Sequence, residues 1–380
     1  MRILFYAHSS TLYGANRSLI ELIAGLQELY PGEIEPHLII PSEGPIISEL
    51  EKQQIPYSVI PHFNWIYFSE HGERWEYSKF LHGLWRAKNK YLKKLKNRIY
   101  FSRHLKFAKD YDPDILYVNS SLNPMGLYVG EKLQKKIVWH HRETVEEPAY
   151  GYYLESFSEF KRYLNSVSMN IYISKFLKKL YFEQFGSHKS EVIYNYIDER
   201  DFNIQEKNFV SGKVRFGMVG RINKQKGQEE IVELFNEPEI RNQNIELHLF
   251  GYGDQKLLND VIHGTENVIY HGFVEKNNLY NQFDVLIANS TNEAFGRNVV
   301  EALLNGIPVL AKNSGAFEEI LNEINYGRLY DSKEKLKSLI PEARVFISKP
   351  TNDFSTNSSF CFIQKFSLLK FKKILDYQLF

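Results

Sequence analysis

Short apolar or β-branched runs alternate with longer amphipathic ones along the whole chain, the pattern of strands joined by crossover helices in a parallel sheet. In the first half, Ile3–Ala7, His37–Ile40, Ile115–Val118, Ile137–His140 and Met169–Ile173 predict strands. In the second, Val214–Val219, Leu247–Phe250, Val268–Tyr270, Val285–Ala288 and Val309–Ala311 do the same. Two successive units of this kind predict an α/β protein of two Rossmann-like domains, with parallel sheets facing each other across a cleft. The polar stretch from Glu199 to Gly212 is the expected hinge, giving domains at 1–205 and 206–345. After about Ser332 the rhythm fades, and 346–380 reads as a tail. Lys349 to Ser359 has loop composition, and Phe366 to Phe380 predicts a closing amphipathic helix whose partner domain periodicity does not name.

Composition narrows the class. The 380 residues are more than one hydrophobic core usually serves, and 43% hydrophobic with 24% charged residues is ordinary for a folded globular chain. The single cysteine, Cys361, makes neither an internal disulfide nor a thiolate metal cluster, fits a reducing compartment and is expected as a small buried residue. The apolar run at the start, Met1 to Ala7, is too short for a signal-peptide core and reads as a strand. Nowhere do about 18 apolar residues run together, so a cytoplasmic protein, soluble or peripheral at the inner face of a membrane, is expected.

A net charge of +1 argues against strong attraction to nucleic acid, yet the charge is uneven. From Tyr77 to Lys109 there is no acid, while Lys79, Arg86, Lys88, Lys90, Lys93, Lys94, Lys96, Arg98, Arg103, Lys106 and Lys109 interleave with Phe80, Trp85, Tyr91, Tyr100, Phe101 and Phe107. Such a segment suits an anionic membrane surface, with cations at the headgroups and rings at the interface; the alternative is a solvated helical face.

Two constellations carry chemistry. After the strand Val214–Val219 comes Gly220-Arg221-Ile222-Asn223-Lys224-Gln225-Lys226-Gly227 and then a helical run. Glycines there let the backbone approach an anion, the next helix offers its positive end, and Arg221 and Lys226 add full charges. Together they suit a diphosphate and would neutralise the charge that develops as it leaves, a role Mg²⁺ plays elsewhere. After Val285–Ala288 comes Asn289-Ser290-Thr291-Asn292-Glu293-Ala294-Phe295-Gly296-Arg297, with Glu301 eight residues beyond Glu293. This sets Glu293 at the carboxyl edge of the sheet, where open α/β folds bind ligands. Eight helical residues rise roughly 12 Å, which spaces the two carboxylates for two ends of one elongated ligand.

In that order these motifs resemble the retaining glycosyltransferases of family four, which have the GT-B fold. Gly220-Arg221 with Lys226-Gly227 is similar to the family's G-R-x4-K-G loop, and Glu293 with Glu301 to its E-x7-E motif. Gly251-Tyr252-Gly253-Asp254 and His271-Gly272-Phe273-Val274 resemble its G-x-G turn and its G-F/Y-V loop near the base. Gly306-Ile307-Pro308-Val309 and Ser314-Gly315-Ala316-Phe317-Glu318-Glu319-Ile320 resemble its G-x-P-V and G-G-x-x-E-I segments. The resemblance implies a nucleotide-diphosphate sugar as donor substrate, with no cofactor and no metal. Arg221 and Lys226 would bind the diphosphate, Glu293 the sugar and Glu301 the ribose, with help from the Phe295-Gly296-Arg297 backbone.

The first half matches more loosely. Tyr13-Gly14-Ala15-Asn16-Arg17 resembles the family's G-G-A-x-R loop, with Tyr13 replacing its first glycine and Gly14 keeping the second. Trp139-His140-His141-Arg142-Glu143 sits where the family has a strand-end His-Glu or His-Asp pair, so either His140 or His141 is expected to reach the sugar. Asn195-Tyr196-Ile197-Asp198 resembles a structural turn before the hinge. The pathway implied is bacterial cell-surface polysaccharide assembly, with a lipid-linked saccharide as acceptor if the basic segment binds membrane. Two rivals share the fold, a sugar-nucleotide epimerase and a non-catalytic partner of another transferase. A dinucleotide-dependent oxidoreductase is disfavoured because no G-x-G-x-x-G follows the first strand.

Overall fold

The computed structural model describes residues 1–12, 14–67, 79–145, 152–153, 156–195, 212–253, 258–259, 265–324, 326–347 and 358–379. By contacts the chain divides into two compact units, Met1–Tyr196 with Lys365–Phe380, and Ile197–Gln364.

In the first unit the strands are β1 (Arg2–Tyr6), β2 (Glu35–Ile40), β3 (Tyr57–Val59), β4 (Ile66–Tyr67), β5 (Ile115–Asn119), β6 (Lys136–His141), β7 (Tyr152–Tyr153), β8 (Met169–Tyr172) and β9 (Ser190–Val192). Seven form one parallel sheet in the order β3-β2-β1-β5-β6-β8-β9, and β4 and β7 pair antiparallel beside it. The central strands are mostly apolar because both faces are covered, with the buried polar residues Asn119, His140, His141 and Asn170 as exceptions. Ile3, Phe5, Ile115, Tyr117 and Val138 pack with Leu19, Ile23 and Leu26 of helix Gly14–Leu29. Leu4, Tyr6 and Leu116 pack on the other face with Ala108, Met125 and Val129.

The second unit holds β10 (Val214–Val219), β11 (Ile245–Phe250), β12 (Val268–Gly272), β13 (Val285–Ala288), β14 (Val309–Lys312) and β15 (Gly327–Tyr330). Their order, β12-β11-β10-β13-β14-β15, is all parallel and doubly wound. Numbered within the unit it reads 3-2-1-4-5-6, so the direction of winding reverses between β10 and β13 and opens a crevice at their carboxyl ends.

Three departures from the sequence reading have physical causes. The short strands β3, β9 and β15 lie at sheet edges, where half of each strand is solvated and the apolar signal is diluted. The α/β rhythm does not stop at Ser332: helix Lys333–Ile347 buries Leu336, Leu339, Ile340 and Ala343 in the second core. Nor is 346–380 one separate tail. Its last helix, Ser358–Leu379, sets Leu368, Phe371, Ile374 and Leu375 into the core of the first unit, and Lys370 pairs with Glu191 at 2.9 Å. The division by contacts falls after Tyr196, and the expected hinge at Glu199 to Gly212 lies outside the described residues except for Gly212 itself. The loop expected at Lys349 to Ser359 lies outside them up to Asn357, while Ser358 and Ser359 already belong to the terminal helix; Tyr13, Tyr77 and the Cys361 side chain also lie outside. Among the described residues no helix is long and apolar enough to cross a membrane.

Candidate active site at the switch point of the second sheet

The loop leaving β10 turns at Gly220, whose φ of +144° lies outside the range of ordinary side-chain-bearing residues. Its N–H donates to the Phe250 carbonyl at 3.0 Å. Gly251, at φ +134°, presses against it: a Cβ there would stand 2.0 Å from the Gly220 carbonyl oxygen. Asn223 then caps a short turn, its side chain accepting from the Lys226 N–H at 2.9 Å, and Gly227 at φ +65° passes the chain into helix Gln228–Asn236.

The loop leaving β13 is laced to this one. Asn289 donates to the Gly227 carbonyl at 3.0 Å and to Glu230 at 2.9 Å, and accepts from the Tyr330 hydroxyl at 2.8 Å. The Thr291 N–H donates to the Gln225 carbonyl at 3.2 Å, and Asn298 donates to the Val219 carbonyl at 3.0 Å. These bonds bring Lys226 Nζ to 2.5 Å from Glu293 Oε2. A third loop fixes Glu293 from behind, its carbonyl accepting from Ala316 N–H at 2.9 Å. Gly315, at φ +69°, permits that approach, since a Cβ would meet the Glu293 backbone at 2.4 Å.

Burial by itself would raise the pKa of Glu293. The charge of Lys226, its hydrogen bond, the Ser290 hydroxyl and the Gly296 N–H outweigh it and hold the carboxyl below the usual range. The site therefore presents an ammonium and an ionised carboxylate at the crevice, both part-exposed.

Glu301 sits differently from the sequence reading. The helix runs Arg297–Leu304, so only Glu301 is helical and Glu293 lies in the loop before Gly296; the roughly 12 Å helical rise between them does not apply. The Glu301 carboxylate accepts from Tyr280 hydroxyl at 2.7 Å and Arg297 Nε at 2.9 Å, with Lys276 Nζ at 3.4 Å. Arg297 is thus held by Glu301. Phe295 is buried, which leaves its backbone as the part able to meet a ligand, and the Arg221 side chain is exposed. Gly296, at φ +82°, opens the helix against Phe317, with no room for a Cβ.

Phe273 and the half-buried Val274 follow β12. Phe273 is 59% exposed and lies flat on Tyr252, itself 62% exposed, with ring centroids 5.3 Å apart and planes 3° from parallel. Tyr252 was not among the residues expected to bind. Its signal, an aromatic between Gly251 and Gly253, reads as a turn until the strand order sets it beside Phe273.

In the first unit, Gly14 is the exposed first residue of its helix, with open space where a Cβ would be. His140 and His141 are both buried. Both His141 nitrogens are engaged, Nδ1 by the Ser121 hydroxyl and Nε2 by the side-chain Oδ1 of Asn170, each at 2.9 Å, and burial lowers its pKa to about 3. It is bound into the core. His140 Nδ1 meets the Tyr117 hydroxyl and Arg142, while its Nε2 has no protein partner among the described residues. Glu143 accepts from the Ser121 N–H at 3.1 Å.

This geometry can be set beside known proteins. The family model described as glycosyl transferases group 1 matches residues 199–351. This part of the chain is therefore similar to that family. The group 1 region contains both laced loops, the Tyr252–Phe273 pair and the Glu301 network. An uncharacterized 41.2 kDa protein in the cps region of Klebsiella pneumoniae is 29% identical over 168 residues, 40% of this chain and 44% of that protein. The alpha-monoglucosyldiacylglycerol synthase of Streptococcus pneumoniae is 22% identical over 277 residues, 64% of this chain and 62% of the synthase. The chain thus spans about half the length of these curated relatives. Among solved structures, Anabaena HepE in complex with UDP and glucose has a TM-score of 0.73 at 17% identity, covering 98% of this chain and 100% of that one. At that identity the likeness establishes the fold, GT-B with two Rossmann-like units.

Proposed function

We propose that the protein is a retaining glycosyltransferase that moves a sugar from a nucleotide-diphosphate donor to an acceptor hydroxyl in cell-surface polysaccharide assembly. The observation that carries this reading is the Lys226–Glu293 pair, held at 2.5 Å at the switch point by two interlocked loops. A fixed cation beside a fixed carboxylate suits a departing diphosphate and a sugar bound next to it. Lys226 and Arg221 would take the diphosphate, Glu293 the sugar, Glu301 the ribose, and the exposed Tyr252–Phe273 pair would offer a flat face to the base. Support for the donor class comes from the UDP and glucose named with HepE, and for the pathway from the cps-region relative.

The test is nucleotide release from UDP-, GDP- and dTDP-sugars, with and without membrane extract, in EDTA. Extract-dependent release from one donor, undiminished by the chelator, is expected. Activity lost in EDTA and restored by Mg²⁺ or Mn²⁺ would overturn the metal-independent mechanism. Acceptor-independent conversion of the donor would replace transfer by epimerisation, and silence across the panel would favour a non-catalytic partner role.

The same proposal extends to the acceptor. On helix Lys79–Tyr111, Asn97 bonds the Phe63 backbone and His104 and Ala108 are buried, which fixes the inward face. Leu95 and Ile99 are each two residues from Asn97, roughly 200° around the helix, and with Tyr91 and Leu92 form an exposed apolar stripe. Lys88, Lys90, Lys94, Lys96 and Arg98 flank it, all exposed. An apolar stripe edged by cations suits an anionic bilayer and thereby a lipid-linked acceptor. The protein is expected to sediment with liposomes containing anionic lipid and to be released by high salt. Equal recovery with neutral and anionic liposomes would return the helix to a solvated surface.

A further inference from the structure

Lys226 and Glu293, both in the second unit, already hold each other, and that contact bears on which ligands the crevice would favour. The Lys226 side chain crosses the Gly220 turn, its Cε 3.8 Å from where a Gly220 Cβ would stand, and its Nζ ends 2.5 Å from Glu293 Oε2. One ammonium therefore serves both the glycine turn suited to an anion and the carboxylate. Glu293 cannot draw back from it. Its carbonyl accepts from the Ala316 N–H, and a Cβ on Gly315 would meet its backbone at 2.4 Å. Against burial, which opposes the charge, the carboxylate stays ionised through Lys226, the Ser290 hydroxyl and the Gly296 N–H.

A single ammonium neutralises one negative charge. A diphosphate seated at the glycine turn would draw on the same Nζ, so two anions would face each other across it, and Glu293 would lose much of what offsets its burial. Leaving one member of such a pair without its partner is costly, because an uncompensated charge stays behind. A donor with its sugar attached makes up the loss, since sugar hydroxyls donate hydrogen bonds and a carboxylate accepts up to about four. A nucleoside diphosphate without the sugar brings phosphate oxygens to this side of the crevice and no hydroxyl, so the loss stands.

We propose that Glu293 is a specificity-determining residue that ranks the sugar-bearing donor above the nucleoside diphosphate left after transfer, by competing with that diphosphate for Lys226. This rests on the transferase reading of the site. Once the sugar has gone, the carboxylate reclaims the ammonium and the by-product is loosened, so the device acts at release.

The experiment titrates the full chain with UDP, GDP and dTDP by calorimetry and carries forward the nucleotide that binds. Glu293→Gln, which keeps the shape and removes the charge, should bind that nucleotide roughly tenfold more tightly than the unaltered protein. Lys226→Ala should bind it more weakly. In the Lys226→Ala background, adding Glu293→Gln should change affinity by less than about twofold, since no ammonium is left to contest.

With the nucleotide sugar found active, Glu293→Gln should lower turnover while making the nucleotide a stronger inhibitor. Tighter binding with slower turnover is a pair of changes that a damaged fold does not produce. Equal or weaker nucleotide binding by Glu293→Gln overturns the competition. A tenfold gain that persists without Lys226 overturns it too, because general repulsion would then be the cause. If none of the three nucleotides binds the unaltered chain, the transferase reading itself fails and the proposal falls with it.

Discussion

Replacing Lys226 by alanine is expected to lower sugar transfer by about two to three orders of magnitude while leaving the fold intact. Lys226 is part-exposed and sits on a capped turn whose backbone bonds do not use its side chain, so little packing is lost. What is lost is the only cation that the structure places against Glu293 through a direct ion pair among the described residues. On the proposed transferase reading, the kinetic signature should be a fall in kcat larger than any rise in KM, because the charge on a departing diphosphate would grow toward the transition state.

The same variant carries a pH prediction with a definite sign. With Lys226 present, Glu293 titrates below its reference value of 4.5. Its ionised form therefore adds stability above about pH 4.5, and this is lost as pH falls through the lower folded value. Without Lys226 the burial cost is less opposed, and the folded pKa rises. The acid limb of the pH–rate profile should then move to higher pH in Lys226→Ala. Near-normal turnover, or an acid limb that stays put while turnover falls, would remove the assignment of the pair to the reacting centre.

The largest structural effect is expected at Gly251, which contacts no ligand in any reading of the site. A methyl there would stand 2.0 Å from the Gly220 carbonyl oxygen, with backbone at φ +134°. Neither the contact nor the conformation can be relieved by a rotamer change, because both partners are backbone. Gly251→Ala should cost about 3 kcal/mol or more from the overlap and the strain together. It should also displace the Gly220 turn and with it the loop that carries Lys226. Chemical denaturation followed by a probe in the second unit checks the first effect, and turnover of the folded fraction checks the second. Gly14→Ala is the matched control: it has open space around the added methyl and should change stability by less than about 1 kcal/mol. Equal stability for the two variants would mean that the Gly220–Gly251 contact is not as tight as the structure has it.

The reach of the sequence differed from residue to residue. The loop from Gly220 to Gly227 and the stretch from Asn289 to Gly296 were legible because their signals are local: glycines needed for positive φ, a strand before and a helix after. The spacing of Glu293 and Glu301 was legible as a motif but not as a distance, since the helix begins only at Arg297. Tyr252 escaped notice because stacking on Phe273 depends on β11 and β12 being neighbours. His140 and His141 could not be separated from sequence, as adjacent strand residues point to opposite faces and each face has its own partners. Edge strands β3, β9 and β15 were missed for want of apolar contrast.

The sequence by itself determined two α/β units, the loops that follow β10 and β13, and the basic helix, because periodicity, glycine placement and charge are properties of neighbouring residues. Tertiary structure alone decided the winding order that sets those two loops side by side, and it alone brought Lys226 to Glu293 across 67 positions of chain. It also decided that the terminal helix returns to the first core through Leu368, Phe371, Ile374 and Leu375. The physical reason is the same in each case. These pairings are chosen by which buried faces and hydrogen-bonding groups can be satisfied together, and that choice is made over the whole folded unit rather than along the chain.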